Sequence, residues 1–242
     1  MEEERTMILF EGNITSGKST VLETLAATEE WGTIQEPVKL WRNWPITVKG
    51  KIKYINLLDL FYRKPKRWAF TFQMAAFTTR TKNWTDVLKL NDHSTMALER
   101  SVFCDRNIFA WNCLANKSMK PIEWDVYRRM WNFEFRESHI AIPDLIVYYR
   151  VSPQVCFDRL PLHERQEENA IAPQYLMDLH ELHERWLYSD DSGTAPLSLP
   201  EQNETEFEEI PRVPVLVLDG ERSWTAQELT SAINERLALI QN

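Results

Sequence analysis

Hydrophobic positions along the chain fall in two rhythms. Short, nearly unbroken apolar runs occur in Thr6–Glu11, Thr95–Glu99, Asp144–Arg150 and Val213–Asp219, and a fifth short run ends near Glu36. Runs of this kind read as strands covered on both faces, as in a parallel sheet. Between them lie longer stretches with apolar residues at helical spacing. One closes over Leu57–Tyr62, and others span Trp68–Leu88, Trp124–Ser138, Tyr175–Tyr188 and Thr225–Ile240. Val21, Leu22 and Leu25 mark a helix after the first strand. Ser152-Pro153 reads as a further helix start, with Ser at the N-cap and Pro in the first turn. The alternation predicts an α/β fold with a parallel five-stranded sheet flanked by helices. No internal repeat is present, and residues 1–242 are expected to form a single domain. The polar, acidic, proline-containing stretch at about 189–212 reads as a surface loop.

Composition narrows the class of partner. A hydrophobic content of 43% supports a real core, and ten Trp supply aromatics for a pocket as well. The formal charge of −8 argues against nucleic acid, whose binding rests on Lys and Arg, and favours a small substrate. Cys104, Cys113 and Cys156 form no C-x-x-C pair, which suggests free thiols in a reducing compartment. The acidic start, Met1-Glu2-Glu3-Glu4-Arg5, reads as neither a signal nor a transit peptide, and no apolar run is long enough to span a membrane. A cytoplasmic or nuclear location is expected. Asn13-Ile14-Thr15 matches a glycosylation sequon, but a glycan there would block the turn described next.

Directly after the first strand comes FEGNITSGKST, Phe10 to Thr20, with the spacing G-x-x-x-x-G-K-S met in full. A glycine-flanked turn between strand and helix wraps backbone N–H groups around an anion, and the helix adds the positive end of its dipole. Gly12, Asn13, Ile14, Thr15, Ser16, Gly17, Lys18, Ser19 and Thr20 are therefore expected to hold the phosphates of a nucleoside triphosphate. In that arrangement Lys18 reaches the β- and γ-phosphates and the Ser19 hydroxyl holds Mg²⁺.

Further charged residues fall at expected strand ends, which face the crevice of a parallel α/β sheet. Glu36, with Pro37 fixing the chain behind it, is placed to take a proton from an attacking hydroxyl. Glu99 suits Mg²⁺ and Arg100 suits phosphoryl oxygens. The charged stretch from Arg159 through Arg165 to Glu168 reads as a lid, at about 159–170, carrying arginines over the transferring phosphate. Two other constellations are set aside. His180-Glu-Leu-His183 lacks the H-E-x-x-H spacing of a zinc helix, and Asn116-Lys117-Ser118-Met119 lacks the Asp that reads guanine in a GTPase.

Taken together, FEGNITSGKST, EPVKLW, NLLDLFY, WAFTFQ, ERSVFCDR, RQEEN and YLMDLHELHERWL occur in family order from Ile8 to about Leu187. On these runs the chain resembles the deoxyribonucleoside kinases: the deoxycytidine, deoxyguanosine and mitochondrial thymidine kinases and the insect multisubstrate enzyme. The resemblance implies a P-loop kinase fold with a helical lid, ATP as phosphate donor, Mg²⁺, and a homodimer built through a helix bundle. It also implies roles. Glu36 would be the general base for the 5'-hydroxyl, with Arg100 beside it and Lys18 on the phosphates. Trp41 would pack by the base, Phe72 stack on it and Gln73 read its edge. Tyr62 and Glu168 would hold the 3'-hydroxyl, and Arg159 and Arg165 would serve as lid arginines. His163 stands where vertebrate members carry another arginine, which implies a weaker, pH-sensitive lid.

Base preference rests on Ala76, Arg80 and Asp105. Ala76 and Arg80 share a helix face with Gln73, and an Arg and an Asp entering one pocket would pair. The deoxycytidine and deoxyguanosine kinases carry this set, whereas thymidine-accepting members have bulky apolar residues at the first two positions and a small third. A carboxylate accepts from an exocyclic amino group, which thymine lacks. The expectation is therefore a kinase of deoxycytidine and purine deoxynucleosides. The alternatives are a thymidine-preferring or broad multisubstrate kinase, then a nucleoside monophosphate kinase or a non-catalytic nucleotide-binding protein.

Overall fold

The computed structural model of the chain describes residues 5–137, 140–162, 165–189, 192–199 and 211–240. Its central sheet contains β1 (Thr6–Glu11), β2 (Gly32–Ile34), β5 (Thr95–Glu99), β6 (Leu145–Arg150), β7 (Thr194–Pro196) and β8 (Arg212–Asp219), in the order β2-β5-β1-β6-β8-β7. The first five strands in that order are parallel, as the apolar runs predict. Met7 to Phe10 and Leu145 to Tyr149 are almost wholly buried, so β1 and β6 are covered on both faces. β7 is a correction. It pairs antiparallel with β8 and lies within the stretch expected to be a loop. Other parts of that stretch, 190–191 and 200–210, lie outside the described residues.

The helices are α1 (Lys18–Ala26), α2 (Val38–Arg42), α3 (Leu57–Arg63), α4 (Pro65–Leu90), α5 (Val102–Cys104), α6 (Trp111–Ala115), α7 (Pro121–Glu137), α8 (Pro153–Arg159), α9 (Pro173–Leu187) and α10 (Ala226–Ile240). Four of them, α4, α7, α8 and α9, begin at a proline, which fits the first turn, where no backbone donor is needed. Ser152 precedes α8 as expected, but its hydroxyl does not cap the helix. Instead, its backbone N–H donates to the Glu221 carboxylate at 2.9 Å. A π-type segment, Asp105–Ala110, joins α5 to α6. A two-stranded hairpin, β3 (Trp44–Val48) with β4 (Lys51–Ile55), was not expected. Its turn has Lys49 at φ +51° and Gly50 at φ +73°.

Candidate active site

The carboxyl ends of β1, β2 and β5 open into one cleft of about 440 Å³. Its floor is the turn between β1 and α1. Gly12 has φ +151°, and a Cβ there would come within 2.6 Å of the Tyr149 carbonyl oxygen, so only glycine fits. Gly17 sits at φ +104°, also in glycine territory. The turn is pinned from outside. Asn13 Nδ2 donates to the Leu176 carbonyl at 2.9 Å, and Thr15 Oγ1 donates to the Cys156 carbonyl at 2.6 Å. Arg159 Nη1 donates to the Ser16 carbonyl at 2.9 Å. Lys18 folds over the turn, with Nζ donating to the Gly12 and Asn13 carbonyls at 3.0 and 2.7 Å. Burial, reinforced by Arg100, depresses the Lys18 pKa to about 8. Ser19 Oγ donates to Glu99 Oε1 at 2.6 Å, so two hard oxygen donors meet beside the phosphate turn.

Glu36 lies two residues beyond β2 rather than at its end. Pro37 and a Val38 N–H bond to the Glu36 carbonyl, 2.8 Å long, turn the chain there. The Glu36 carboxylate accepts from Arg80 Nη2 at 2.8 Å and from Arg100 Nε at 3.0 Å. Burial raises its pKa, but the Arg100 and Arg80 guanidinium groups outweigh burial and hold it at about 2. Arg80 also makes the expected pair with Asp105, through Nε to Oδ2 at 2.8 Å and Nη2 to Oδ1 at 3.1 Å. The link from Arg80 to Glu36 was not expected. One guanidinium thus spans two carboxylates, with Arg80 and Asp105 buried and Glu36 nearly so.

Farther into the cleft, Phe72 stacks on Phe61 with ring centroids 4.9 Å apart, and Trp41 meets Phe72 edge-on at 5.5 Å. Trp41 Nε1 donates to Thr79 Oγ1 at 2.9 Å, which fixes the indole. Gln73 and Ala76 follow on α4 and line the same cavity. Gln73 Nε2 lies 3.8 Å from Cys113 Sγ. Tyr62 and Glu168 face the cavity from α3 and from the 3-10 turn Gln166–Ala170. The Tyr62 pKa is raised by burial first and by Glu168 second.

The stretch expected to be a lid is less uniform than expected. Arg159 is the last residue of α8, and short 3-10 turns follow at Leu160–Leu162 and Gln166–Ala170. His163 lies outside the described residues. Arg165 donates to Glu168 at 2.9 Å, and Arg42 of α2 pairs with Glu167 at 2.8 Å. Among the described residues, every site candidate read from the sequence lines this cleft except Gly12 and Asn13, whose carbonyls accept from Lys18 within it.

Sequence reasoning missed Phe109, on the π-type segment, and the stretch 220–224, both of which line the cleft. The second could have been found, because it follows the carboxyl end of a parallel strand.

A deoxynucleoside kinase family model matches residues 8–238. The chain belongs to the deoxynucleoside kinase family. It is 38% identical over 221 residues to a probable deoxycytidine kinase of fowlpox virus, covering 90% of this chain and 80% of the relative. It is 36% identical to a mitochondrial deoxyguanosine kinase of Xenopus laevis, covering 94% and 84% of the two chains. Against a deoxycytidine kinase of Homo sapiens the identity is 34%, with 88% and 82% covered. As a deoxynucleoside kinase the chain is an ATP-dependent phosphotransferase with the P-loop fold. Among the described residues, no helix is long and apolar enough to cross a membrane.

Proposed function

We propose that this deoxynucleoside kinase transfers the γ-phosphate of ATP to the 5'-hydroxyl of deoxycytidine and purine deoxynucleosides in preference to thymidine. The observation that carries this reading is the Arg80 guanidinium, bonded to Glu36 at 2.8 Å on one side and to Asp105 at 2.8 Å on the other. It ties a base-reading carboxylate to a hydroxyl-activating one. Glu36 is ionised at neutral pH and accepts the hydroxyl proton as the oxygen attacks. Lys18, the turn's N–H groups and the start of α1 bind the phosphates, Arg100 faces the transferring group, and Arg159 and Arg165 close over it. Tyr62 and Glu168 take the 3'-hydroxyl. Gln73 offers donor and acceptor to the base edge, and Phe72 and Trp41 supply the aromatic wall. Ser19 and Glu99 fit Mg²⁺, which when bound neutralises charge on the phosphates. The names of the relatives, deoxycytidine and deoxyguanosine kinase, support the base preference. A panel of the four deoxynucleosides with ATP tests it. The expected order places thymidine last, and a best kcat/KM for thymidine would overturn the assignment of Asp105 and Arg80.

The Lys18 role carries a pH signature. Its charge in the ligand-free protein is present below about 8 and lost above it. ATP affinity, measured by calorimetry between pH 6 and 9.5, is therefore expected to fall above about 8. A flat profile would show that the charge is not lost.

A homodimer is supported by α7. Ile122, Val126, Met130 and Phe133 recur at helical spacing and are 66%, 42%, 42% and 59% exposed. An uncovered apolar stripe of this kind suits a helix-to-helix contact with a second copy. The double variant Val126→Asp with Phe133→Asp is expected to sediment as a folded monomer. Wild-type protein that is already monomeric at micromolar concentration would remove this reading. Three buried free cysteines support a reducing compartment, read here as cytoplasmic. The mitochondrial relative makes localisation of a tagged full chain the direct test.

A further inference from the structure

Behind Arg100 lies a cluster that the proposed chemistry does not use. Glu11, Cys104 and His183 are fully buried, and their ligand-type atoms all come within 4.8 Å of one another. His183 Nδ1–H donates to the Leu179 carbonyl at 2.6 Å, which leaves Nε2 as an acceptor 3.8 Å from Cys104 Sγ. Burial holds His183 neutral, so the Cys104 thiol can donate to it. The sulfur in turn accepts from Arg100 Nη1 at 3.6 Å. A string of polar contacts therefore runs Arg100, Cys104, His183, Leu179.

Arg100 needs such support. It is a non-glycine residue at φ +60°, with its N–H donating to the Phe10 carbonyl at 2.9 Å, next to Glu11. Its Nε faces Glu36 and its guanidinium lies 4.6 Å from the Phe109 ring centroid. A strained backbone at a reacting centre persists only when its surroundings over-determine it. Neither oxygen of Glu11 has a hydrogen-bond partner in good geometry, although the carboxyl is wholly buried. Such a group is costly unless a charge nearby compensates it. Its pKa is raised: burial outweighs the opposing influence of Arg100 first, and then of the neighbouring Ser101 and Cys104 side chains.

We propose that Glu11, Cys104 and His183 are positioning residues that fix the Arg100 guanidinium against the reacting groups from behind, a role that rests on Arg100 facing the transferred phosphoryl. Glu, Cys and His are also metal-ligand types, but here the guanidinium already sits on the thiol where a cation would bind.

The test uses two sets of variants in the full chain. Glu11→Gln keeps the shape and replaces the carboxyl group by an amide that can neither ionise nor pair with Arg100. It is expected to lower kcat about tenfold, within the coupling range for neighbouring groups, while the nucleoside KM stays within about twofold. In an Arg100→Ala background the same change is expected to have no further effect. At Cys104, Ser preserves a donor and an acceptor, whereas Val preserves only bulk. Ser is expected to keep near wild-type kcat and Val to lose it, the reverse of the order that packing alone would give. If the Glu11→Gln change prevents folding, the Cys104 pair decides. Full kcat in Glu11→Gln, additive effects with Arg100→Ala, Val outperforming Ser, or stoichiometric zinc in the purified wild type would each overturn the proposal. Nucleoside phosphorylation by the wild type, measured alongside, keeps failure of this inference separate from failure of the kinase reading.

Discussion

Replacing Glu36 by Gln is expected to lower kcat by roughly 10²–10⁴-fold, the usual range for loss of a general base, while nucleoside binding persists. The reasoning starts from the two guanidinium groups on this carboxylate, Arg80 at 2.8 Å and Arg100 at 3.0 Å. They hold its pKa at about 2 against burial, so Glu36 is deprotonated across the working range of pH. Gln keeps an oxygen for those donors and so preserves the local geometry. It also carries an N–H₂ that cannot accept a proton. The loss should therefore appear in kcat and not in the binding constant. The acid limb of the pH–rate profile of the free enzyme should not report Glu36 until close to its value of about 2. Steady-state turnover and calorimetric nucleoside binding check this directly. A Glu36→Gln enzyme within about threefold of wild type in kcat would move the base elsewhere.

The second large effect is a change of substrate. Ala76→Val, Arg80→Met and Asp105→Ala together are expected to shift the ratio of kcat/KM for thymidine over deoxycytidine by about 10²-fold or more, since a site built to pair with a polar group rejects the analogue lacking it. The geometry explains why the three changes belong together. Arg80→Met alone would strand Asp105 in a dry site, a loss of about 3–5 kcal/mol for a broken buried pair. Removing both partners avoids that penalty. The bond from Arg80 to Glu36 adds a second consequence. With Arg80 gone, Glu36 loses one of its two guanidinium partners and becomes a stronger base, so turnover and specificity should change at once. Competition assays with both nucleosides present measure the ratio. A ratio unchanged in the triple variant would separate these positions from base choice.

Much of this site was legible before any coordinates. The turn from Gly12 to Thr20 announces itself because its spacing is fixed by phosphate chemistry. β1, β5, β6 and β8 announce themselves because strands buried on both faces must be apolar throughout. The hairpin β3–β4 was hidden for the opposite reason. Ile52 and Tyr54 are 65% and 68% exposed, so no buried face imposes alternation, and its turn uses Lys49-Gly50 in place of the commoner Asn-Gly. β7 is three residues long and ends at Pro196, which cannot donate to a ladder, so neither its length nor its residue types mark a strand. The π-type segment Asp105–Ala110 was equally silent, yet such segments recur at functional sites, and this one carries both Asp105 and Phe109 into the cleft. The Arg80–Asp105 pair could be anticipated from charge and spacing. The reach of Arg80 to Glu36 could not, because it joins α4 to a coil 44 residues away in sequence.

The strand order also sets a timetable for synthesis. β1 emerges first from the ribosome, but its two neighbours in the sheet are β5 and β6. At translation speeds of about 5–20 residues per second, its apolar run waits roughly 7 to 27 seconds for the second of those partners. Loop closure over so long a span is slow even once the chain is free. The strand that leads into the phosphate turn therefore keeps one open edge through much of synthesis. A nascent chain stalled before Leu145 would leave Ile8 to Glu11 without their second partner strand, an open edge of the kind that invites pairing with other chains.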